Sequence, residues 1–304
     1  MRRFPYVLLD VFTHNALEGN QLAVISDARG LSGAEMQALA KETNLSETTF
    51  ILPRDAAVEA ERGVRVRIFT VQEELEFAGH PTLGTAWHIY QQAMNQQPTQ
   101  LQRAEATVSL DLKVGKIPVT FTTGADGKLM GEMRQRDPEF GEVFSPEEIA
   151  RATGVPPGHI DRSLPIQTVS TGMPFTIVPL QSLAAMHSLH VDQQAATAFA
   201  SERGGKFFYF VSRQTEAAGA TLHARMQFYN GEDPATGSAA GCCTAWAVQH
   251  GVLASEEHGL IEQGLEISRP SFLQIRGRKT AKGVTDIRVG GGVVEIARGE
   301  FVLQ

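Results

Sequence analysis

The chain has 304 residues, and 27 lysine and arginine residues stand against 34 aspartate and glutamate residues, which gives a formal charge of −7 at pH 7. A chain of this length can bury a sizeable core and fits one large domain or two medium ones. Its acidic balance, without any block of like charge, argues against nucleic acid and against an anionic membrane surface as partners.

The two cysteines and the N-terminus bear on the cellular compartment. Cys242 and Cys243 are neighbours and cannot join distant segments, so we expect a reduced, cytoplasmic protein. The N-terminal sequence MRRFPYVLLDVFTHN carries two arginines, but Asp10 interrupts its short apolar stretch, so it does not match a secretory signal. No apolar run approaches the length of a membrane-spanning helix.

The first half of the chain predicts two helices surrounded by strands. Ser32 and Glu35 make the S-x-x-E pattern of a capping box, which predicts a helix from Ser32 to about Thr43. The run GTAWHIYQQAM at 84–94 is apolar on nearly every side, which indicates a helix buried on most of its surface. Patterns rich in β-branched and aromatic residues predict strands at 6–12, 21–26, 48–53, 64–70, 107–112, 116–123 and 128–133.

The second half follows a similar plan. Ser145, Pro146 and Glu148 open another capped helix, and residues 192–202 predict a further one. The stretch GEDPATGSAAGCCTAWAVQHG reads as a glycine-bearing turn that leads into a nearly all-apolar helix ending at Gly251. Strand patterns occur at 165–170, 175–180, 206–212, 222–230, 265–277, 284–291 and 293–304.

Two stretches of the chain resemble each other. RIFT…AGHPTLGTAW and MQFY…ATGSAAGCCTAW both run from a strand through a small-residue turn into a helix with Thr-Ala-Trp, at 85–87 and 244–246. A match of three residues arises by chance, but the order of the elements agrees as well. We therefore expect an α+β protein of two related lobes rather than a doubly wound sheet, since strands do not alternate regularly with helices.

The two small-residue turns are candidates for binding an anion. Each feeds the N-terminus of a buried helix, so its backbone N–H groups and the helix dipole would point toward a cleft between the lobes. A substrate carboxylate is the simplest occupant, and its approach to the backbone would depend on the small residues Gly79, Gly237 and Ser238. The alternative is that these glycines only cap or turn the chain.

Three titratable residues are candidates for proton transfer. Glu47 stands at the mouth of an apolar strand with no cation directly beside it, a setting that raises the pKa of a carboxyl group unless the residue is simply at the surface. His80 precedes Pro81 and is expected to be extended just before the helix, although a lone histidine is more often structural. Asp233 precedes Pro234 and is either a third such group or a turn former.

Motifs for several other classes are missing from the sequence. There is no P-loop, no G-x-S-x-G elbow and no G-x-G-x-x-G after a strand, which leaves hydrolase, NTPase and dinucleotide-binding functions without support. No histidines and cysteines stand at ligand spacing, so we expect neither a metal nor an organic cofactor.

The motifs resemble those of the phenazine biosynthesis PhzF family, within the diaminopimelate epimerase-like fold. The similarity covers almost the whole chain, through DVFTHNALEGNQLAVI, NLSETTFIL, RIFTVQEELEFAGHPTLGTA, GEDPATGSAAG and EQGLEISRPS. It implies two lobes, each a β-barrel-like sheet wrapped around a central apolar helix, with the site between them and usually a homodimer. We expect the N-terminal lobe at 1–125, completed by a strand at 293–304, and the C-terminal lobe at 126–292.

The resemblance also implies roles for individual residues. Glu47 of NLSE would be the proton shuttle, with Ser46 beside it at the substrate, and His80 of AGHP and Asp233 of EDPATGS would assist. Backbone groups of the two turns, at Gly79, Gly237 and Ser238, would bind the substrate carboxylate. The archetypal member isomerises trans-2,3-dihydro-3-hydroxyanthranilate by moving a proton from C3 to C1, and the resulting enol becomes a ketone.

The chain departs from related sequences at several points. Val71 replaces a proline usual in the family and Gln21 replaces another, which leaves the identity of the substrate open. Related epimerases use two cysteines at the turns, whereas Cys242 and Cys243 lie further into the second helix, so two-cysteine epimerisation is not expected. The alternatives to a cofactor-independent isomerase are a catalytically silent binding or regulatory protein on the same fold and a cysteine racemase.

Overall fold

The computed structural model describes residues 1–96, 105–124, 127–228 and 231–304. In these ranges the chain is a mixed α+β protein. Its helices are α1 (Gly33–Thr43), α2 (Ala56–Arg62), α3 (Gly79–Gln96), α4 (Pro146–Thr153), α5 (Leu183–His187), α6 (Gln193–Glu202) and α7 (Gly237–Gln249), with short 3-10 turns at Pro157–His159 and Leu265–Ile267.

The strands occupy both ends and the middle of the chain. They are β1 (Arg2–Val11), β2 (Asn20–Ile25), β3 (Glu47–Leu52), β4 (Val64–Phe69), β5 (Glu74–Leu75), β6 (Glu105–Leu112), β7 (Gly115–Thr123), β8 (Leu129–Arg134), β9 (Glu139–Phe144), β10 (Ile166–Ser170), β11 (Pro174–Leu180), β12 (Phe207–Ser212), β13 (Leu222–Arg225), β14 (Gln227–Phe228), β15 (Gly231–Glu232), β16 (Gly259–Gln263), β17 (Ser271–Thr280), β18 (Gly283–Gly291) and β19 (Val293–Leu303).

The chain divides into two compact units. Unit 1 comprises Met1–Met133 together with Gly290–Gln304, and unit 2 comprises Arg134–Val289. The predicted boundary between residues 125 and 126 lies outside the described residues. Strand β8 lies beyond that point yet pairs antiparallel with β7, which explains why the segment up to Met133 belongs to unit 1.

In unit 1, helix α3 packs against several strands. Strand β1 pairs antiparallel with both β2 and β19, β2 pairs parallel with β3, and β3 pairs antiparallel with β4. Helix α3 packs against β1, β2, β3, β6 and β7. Gly84 permits this close packing, because a Cβ atom there would lie 2.6 Å from Cδ2 of Leu22 and 2.9 Å from Cγ2 of Val11.

Helix α1 confirms the predicted capping box. The Ser32 side chain accepts from the backbone N–H of Glu35, and the Glu35 carboxylate accepts from the backbone N–H of Ser32. The helix ends at Asn44, which adopts the left-handed conformation that a helix C-terminus favours. The next residues turn the chain directly into β3, so the end of α1 fixes the start of that strand at Glu47.

In unit 2, α7 is a largely buried helix. It packs against β10, β11 and β17, and nearly all its side chains from Gly237 to Val248 are buried. Strand pairing runs from β9 through β10, β11, β12, β13 and β16 to β17. The predicted capping box of Ser145 and Glu148 is present at α4.

Several sequence predictions need correction. Helix α3 begins at Gly79 rather than at Gly84. The strand predicted at 222–230 is interrupted: β13 ends at Arg225, β14 covers two residues, and residues 229 and 230 lie outside the described residues. The strand predicted from residue 265 begins only at Ser271, because residues 265–267 form a 3-10 turn between left-handed Gly264 and Ser268. Elements that the patterns did not predict are α2, α5, β5, β9, β15 and β16.

Among the described residues, no helix is both long enough and apolar enough to cross a membrane.

Candidate functional site

Glu47 is the first residue of β3 and is largely withdrawn from solvent. It pairs in register with Leu22 of the parallel strand β2, and its side chain keeps only 16% of its exposure. The four residues that follow it in β3 are buried. Glu47 is therefore not a surface acid, and half-buried Ser46 directly precedes it in the bend before the strand.

His80 lies beside this carboxylate. Its Nε2 is 3.5 Å from Oε2 of Glu47, and its Nδ1 is 3.3 Å from the side-chain nitrogen of Asn20. The prediction that His80 is extended before the helix is wrong, because it lies in the first turn of α3. Pro81 does not prevent this, since the N–H groups of a first helical turn have no partner within the helix.

The imidazole of His80 is neutral at physiological pH. Burial lowers its pKa to about 3, and a hydrogen bond to the backbone of Gln21 acts weakly in the opposite direction. Within the described part of the chain, Nε2 of His80 is buried and makes no hydrogen bond. The 3.5 Å approach of Glu47 is longer than a hydrogen bond, and such contacts often shorten when substrate binds.

Asp233 lies in unit 2, between the short strand β15 and helix α7. Its Oδ2 accepts a hydrogen bond of 2.7 Å from the hydroxyl of Thr236, and its backbone N–H donates to the carbonyl of Met226 at 3.0 Å. The preceding residue, Glu232, forms a bidentate ion pair with Arg225 at 2.6 and 2.7 Å, and both side chains are more than nine-tenths buried. The backbone and the carboxylate of Asp233 are thus both held in place.

Helix α7 begins with Gly237 and Ser238. Thr236, the residue that precedes the helix, makes no side-chain cap because its hydroxyl is directed to Asp233. No side chain therefore satisfies the N–H groups of the first turn from the capping position. N–H groups of this kind, at the positive end of a helix dipole, suit an anion. Gly79 is the buried first residue of α3, so its N–H group also lies at the positive end of a helix dipole.

Gln263 is a residue that sequence reasoning missed. It is fully buried at the end of β16, and its side-chain nitrogen donates to the Asp233 carbonyl at 2.8 Å and to the Thr236 hydroxyl at 3.0 Å. Its side-chain oxygen accepts from Tyr209 at 2.9 Å. The signal in the sequence was the motif EQGLEISRPS, which begins with the polar pair Glu262 and Gln263 before a glycine, but no role was assigned to either residue.

The two cysteines are buried, free thiols within α7. Burial raises the pKa of Cys242 to about 11 and raises that of Cys243 further. Both therefore stay protonated at neutral pH, and a protonated thiol is a poor base and a poor nucleophile.

The structure thus places the predicted residues in two sets. Ser46, Glu47, Gly79 and His80 belong to unit 1, where Glu47 and His80 are in proximity. Asp233, Gly237 and Ser238 belong to unit 2. There Asp233 accepts a hydrogen bond from Thr236, the residue directly before Gly237. Among the described residues, no group of three or more histidine, cysteine, aspartate and glutamate side chains is arranged to hold a metal ion.

Comparison with known proteins identifies the family. The model of the PhzC-PhzF family, described as phenazine biosynthesis-like protein, matches residues 9–299. The trans-2,3-dihydro-3-hydroxyanthranilate isomerase of Pseudomonas chlororaphis is 33% identical over 98% of this chain and 99% of its own. An uncharacterized isomerase of Mesorhizobium japonicum is also 33% identical, over the full length of both chains.

A solved structure agrees with this relationship. The PhzF-family phenazine biosynthesis protein of Bacillus anthracis superposes with a TM-score of 0.85 at 26% identity, and the match covers 100% of both chains. Because the family model and the curated relatives extend over nearly the whole sequence, the chain belongs to the PhzF-type phenazine biosynthesis-like family and is an isomerase.

Proposed function

We propose that the chain is a cofactor-independent isomerase that shifts a proton on a small cyclic carboxylate, such as trans-2,3-dihydro-3-hydroxyanthranilate or a related amino acid. The observation that carries this proposal is the pairing of Glu47 with His80, at 3.5 Å and with both side chains largely buried. The substrate is suggested by the activity for which the Pseudomonas chlororaphis relative is named.

Glu47 acts as the proton shuttle in the proposed reaction. Its carboxylate removes a proton from a substrate carbon, and the electron pair of the broken C–H bond moves into the conjugated system of the ring. The protonated Glu47 then returns the proton to another carbon, which leaves Glu47 ionised again. General acid–base help of this kind contributes on the order of 10² to 10⁴ in rate.

His80 assists as a neutral imidazole. With its pKa lowered to about 3 by burial, it offers one N–H donor and one lone pair at neutral pH. It can therefore accept or donate a hydrogen bond as the protonation of Glu47 changes, without adding a charge beside the carboxylate. Asp233 serves the same reaction as an ionised group, which the hydrogen bond from Thr236 supports.

The substrate carboxylate is held by backbone N–H groups. Gly79 begins α3, and Gly237 and Ser238 begin α7, so each turn presents donors at the positive end of a helix dipole. Ser46 contributes its hydroxyl beside Glu47. Binding by fixed backbone donors orients the ring so that the same carboxyl group of Glu47 serves both carbons.

Several wider features belong to the same proposal. Each unit forms a β-barrel-like lobe around a central helix, which is supported by the packing of α3 and α7 against strands of their own units. The protein is a cytoplasmic homodimer without nucleic acid or membrane partners. The free buried thiols of Cys242 and Cys243 support the reduced compartment, and analytical ultracentrifugation of the purified chain tests the dimer.

The test uses Glu47→Gln, which removes the carboxylate and keeps its shape. In deuterated buffer with trans-2,3-dihydro-3-hydroxyanthranilate, the wild type should incorporate deuterium at the substrate carbon by NMR, and Glu47→Gln should not. Calorimetry should show that the variant binds the same compound within about threefold of the wild type, a change of less than 1 kcal/mol.

Glu42→Gln is the matched control, since Glu42 lies exposed near the end of α1 and should leave exchange unchanged. Full deuterium exchange by Glu47→Gln would show that Glu47 is not the proton shuttle. Tight binding by the wild type without exchange at any pH would favour a catalytically silent binding protein instead.

A further inference from the structure

The side-chain amide of Gln263 uses all of its hydrogen-bonding groups to hold the segment around Asp233. Its nitrogen donates to the Asp233 carbonyl at 2.8 Å and to Oγ1 of Thr236 at 3.0 Å. Its oxygen accepts from the Thr236 backbone N–H at 3.2 Å and from the Tyr209 hydroxyl at 2.9 Å. Gln263 is fully buried, so no water competes with these four bonds.

The orientation of this amide follows from the nature of its partners. A backbone carbonyl such as that of Asp233 can only accept, and a backbone N–H such as that of Thr236 can only donate. The amide therefore cannot be turned over without losing both bonds. Burial raises the pKa of Tyr209 well above its ordinary value, so the Tyr209 hydroxyl keeps its proton and serves as a donor.

The direction of the hydrogen bond between Thr236 and Asp233 is thereby fixed. The Thr236 hydroxyl has a single proton, and one of its lone pairs already accepts from Gln263. Its own proton is then available for Oδ2 of Asp233, at 2.7 Å. We infer that Gln263 is a positioning residue, which orients the Thr236 hydroxyl as a donor and so holds Asp233 as an ionised acceptor; the inference rests on the proposed role of Asp233 in proton transfer.

The backbone around Gln263 gives independent support. Gly264, the next residue, has a φ of +79°, and a Cβ atom there would lie 2.6 Å from the carbonyl oxygen of Pro234 and 2.5 Å from that of Arg269. Only glycine tolerates both this conformation and this approach. The end of β16 is therefore pressed against the Asp233–Pro234 segment, which is where the Gln263 amide makes its bonds.

Several charged groups lie on the neighbouring elements. Arg225 of β13 pairs with Glu232 of β15 at 2.6 Å, and His223 of β13 pairs with Glu266 of the 3-10 turn at 2.9 Å. Arg269 follows the 3-10 turn, and its carbonyl oxygen lies close to Gly264. The Thr236 hydroxyl bonds both to the Gln263 amide and to the Asp233 carboxylate, so it links the two side chains directly.

The test begins with Gln263→Glu, which is nearly isosteric but replaces the N–H donor by an acceptor oxygen. The Thr236 proton is then drawn to residue 263, so the Asp233 carboxylate loses the hydrogen bond from Thr236. We expect kcat with trans-2,3-dihydro-3-hydroxyanthranilate to fall by on the order of tenfold or more with little change in KM. The acid limb of kcat should move up by about one pH unit, because a carboxylate that loses a hydrogen bond is protonated more easily.

Thr236 supplies a second pair of variants that does not alter the buried amide. Thr236→Val removes the hydroxyl at constant shape and should shift the acid limb in the same direction, whereas Thr236→Ser keeps the hydroxyl and should restore the profile. Gln181→Glu is the control for the change of charge, since Gln181 is an exposed residue of unit 2 whose side-chain amide donates to the carbonyl of Ile160. It should leave the pH profile unchanged even if it lowers the melting temperature.

A measurement without substrate separates this inference from the proposed function. In protein labelled with 13C-aspartate, the Asp233 carboxyl signal is assigned as the one absent from Asp233→Asn, and its titration midpoint should rise by about one pH unit in Gln263→Glu and Thr236→Val. A wild-type midpoint in Thr236→Val overturns the inference. Wild-type activity of Asp233→Asn, with the midpoints shifted as expected, overturns instead the proposed role of Asp233.

Discussion

Oε2 of Glu47 and Nε2 of His80 lie 3.5 Å apart, and burial keeps that imidazole uncharged near neutral pH. A cationic partner would stabilise the Glu47 carboxylate and oppose its protonation. The neutral imidazole of His80 exerts no such pull on the neighbouring carboxyl group, which suits the proposed role of Glu47 in proton transfer.

Burial of His80 makes stability depend on pH. Its pKa is about 3 in the folded chain and about 6.5 when unfolded, so protons bind the unfolded state preferentially between these values and stability falls as the pH drops below about 6.5. Between pH 7 and pH 5, the wild type should lose roughly 2 kcal/mol more than His80→Gln in urea unfolding. Equal losses in the two proteins would show that the imidazole is not withdrawn from protons as described.

His223 should show the opposite behaviour. His223 is fully buried, and burial by itself lowers the pKa of an imidazole. Hydrogen bonds to Glu266 at 2.9 Å and to Glu262 at 2.8 Å favour the charged form and outweigh the effect of burial, so the pKa of His223 is raised. The contribution of the charged form is present below pH 6.5 and disappears as the pH rises through the raised pKa. His223→Gln should therefore destabilise unit 2 more at pH 6 than at pH 9, by roughly 3 kcal/mol at the lower pH. A destabilisation independent of pH contradicts an imidazolium at this position.

The cysteines of α7 should be dispensable for turnover. Because both thiols are protonated at neutral pH, Cys242→Ser and Cys243→Ser should keep kcat within about threefold of the wild type once the fraction of folded protein is measured. Iodoacetamide at pH 8 should leave the native protein unmodified and react only after denaturation. A loss of about a hundredfold or more in a correctly folded variant would restore the cysteine racemase as an explanation.

Gly241 should be sensitive to a single added methyl group. A Cβ atom there would lie 1.8 Å from Oε1 of Gln135, an amide bonded to Oγ1 of Thr171 at 2.6 Å and to the carbonyl of Gly237 at 2.9 Å. Gly241→Ala should cost about 1–3 kcal/mol of unfolding free energy. Adding Gln135→Ala should recover part of this loss, because the clashing atoms are removed.

A second glycine serves as the control for this experiment. Nothing lies within 4 Å of a Cβ atom at Gly158, so Gly158→Ala should change the unfolding free energy by less than about 0.5 kcal/mol. A comparable loss at both glycines would show that the effect at Gly241 does not come from Gln135.

Local sequence signals predicted the elements whose causes are local. The capping box of Ser32 and Glu35 and that of Ser145 and Glu148 are present, because each depends on residues three apart. The predicted start of α3 was wrong. The preference of a residue before proline for an extended conformation was given more weight at His80 than the tolerance of a first helical turn for proline. The 3-10 turn at 265–267 was missed, because its apolar residues alternate as in a strand.

The site was predictable only in part, because some of its contacts join residues that are far apart in sequence. Glu47 and His80 stood out through their unusual neighbours in sequence, and the structure brings them within 3.5 Å. Gln263 bonds to the Asp233 carbonyl across 30 residues of sequence and to Tyr209 across 54, and no spacing rule describes such bonds. A buried amide that satisfies four partners is a property of the folded packing rather than of any short stretch of sequence.

Pro81 makes the N-terminal ends of α3 and α7 unequal as binding sites for an anion. In α3, Pro81 has no N–H and the Thr82 N–H already bonds to the Ala78 carbonyl, so the first turn retains the N–H groups of Gly79 and His80. In α7, the first N–H group that bonds within the helix is that of Ala240. The three N–H groups before it, at residues 237 to 239, therefore have no acceptor within the helix. An anion at the end of α3 would thus meet fewer backbone donors than one at the end of α7, so the two helix ends differ in how strongly each can hold a negative charge without a cationic side chain.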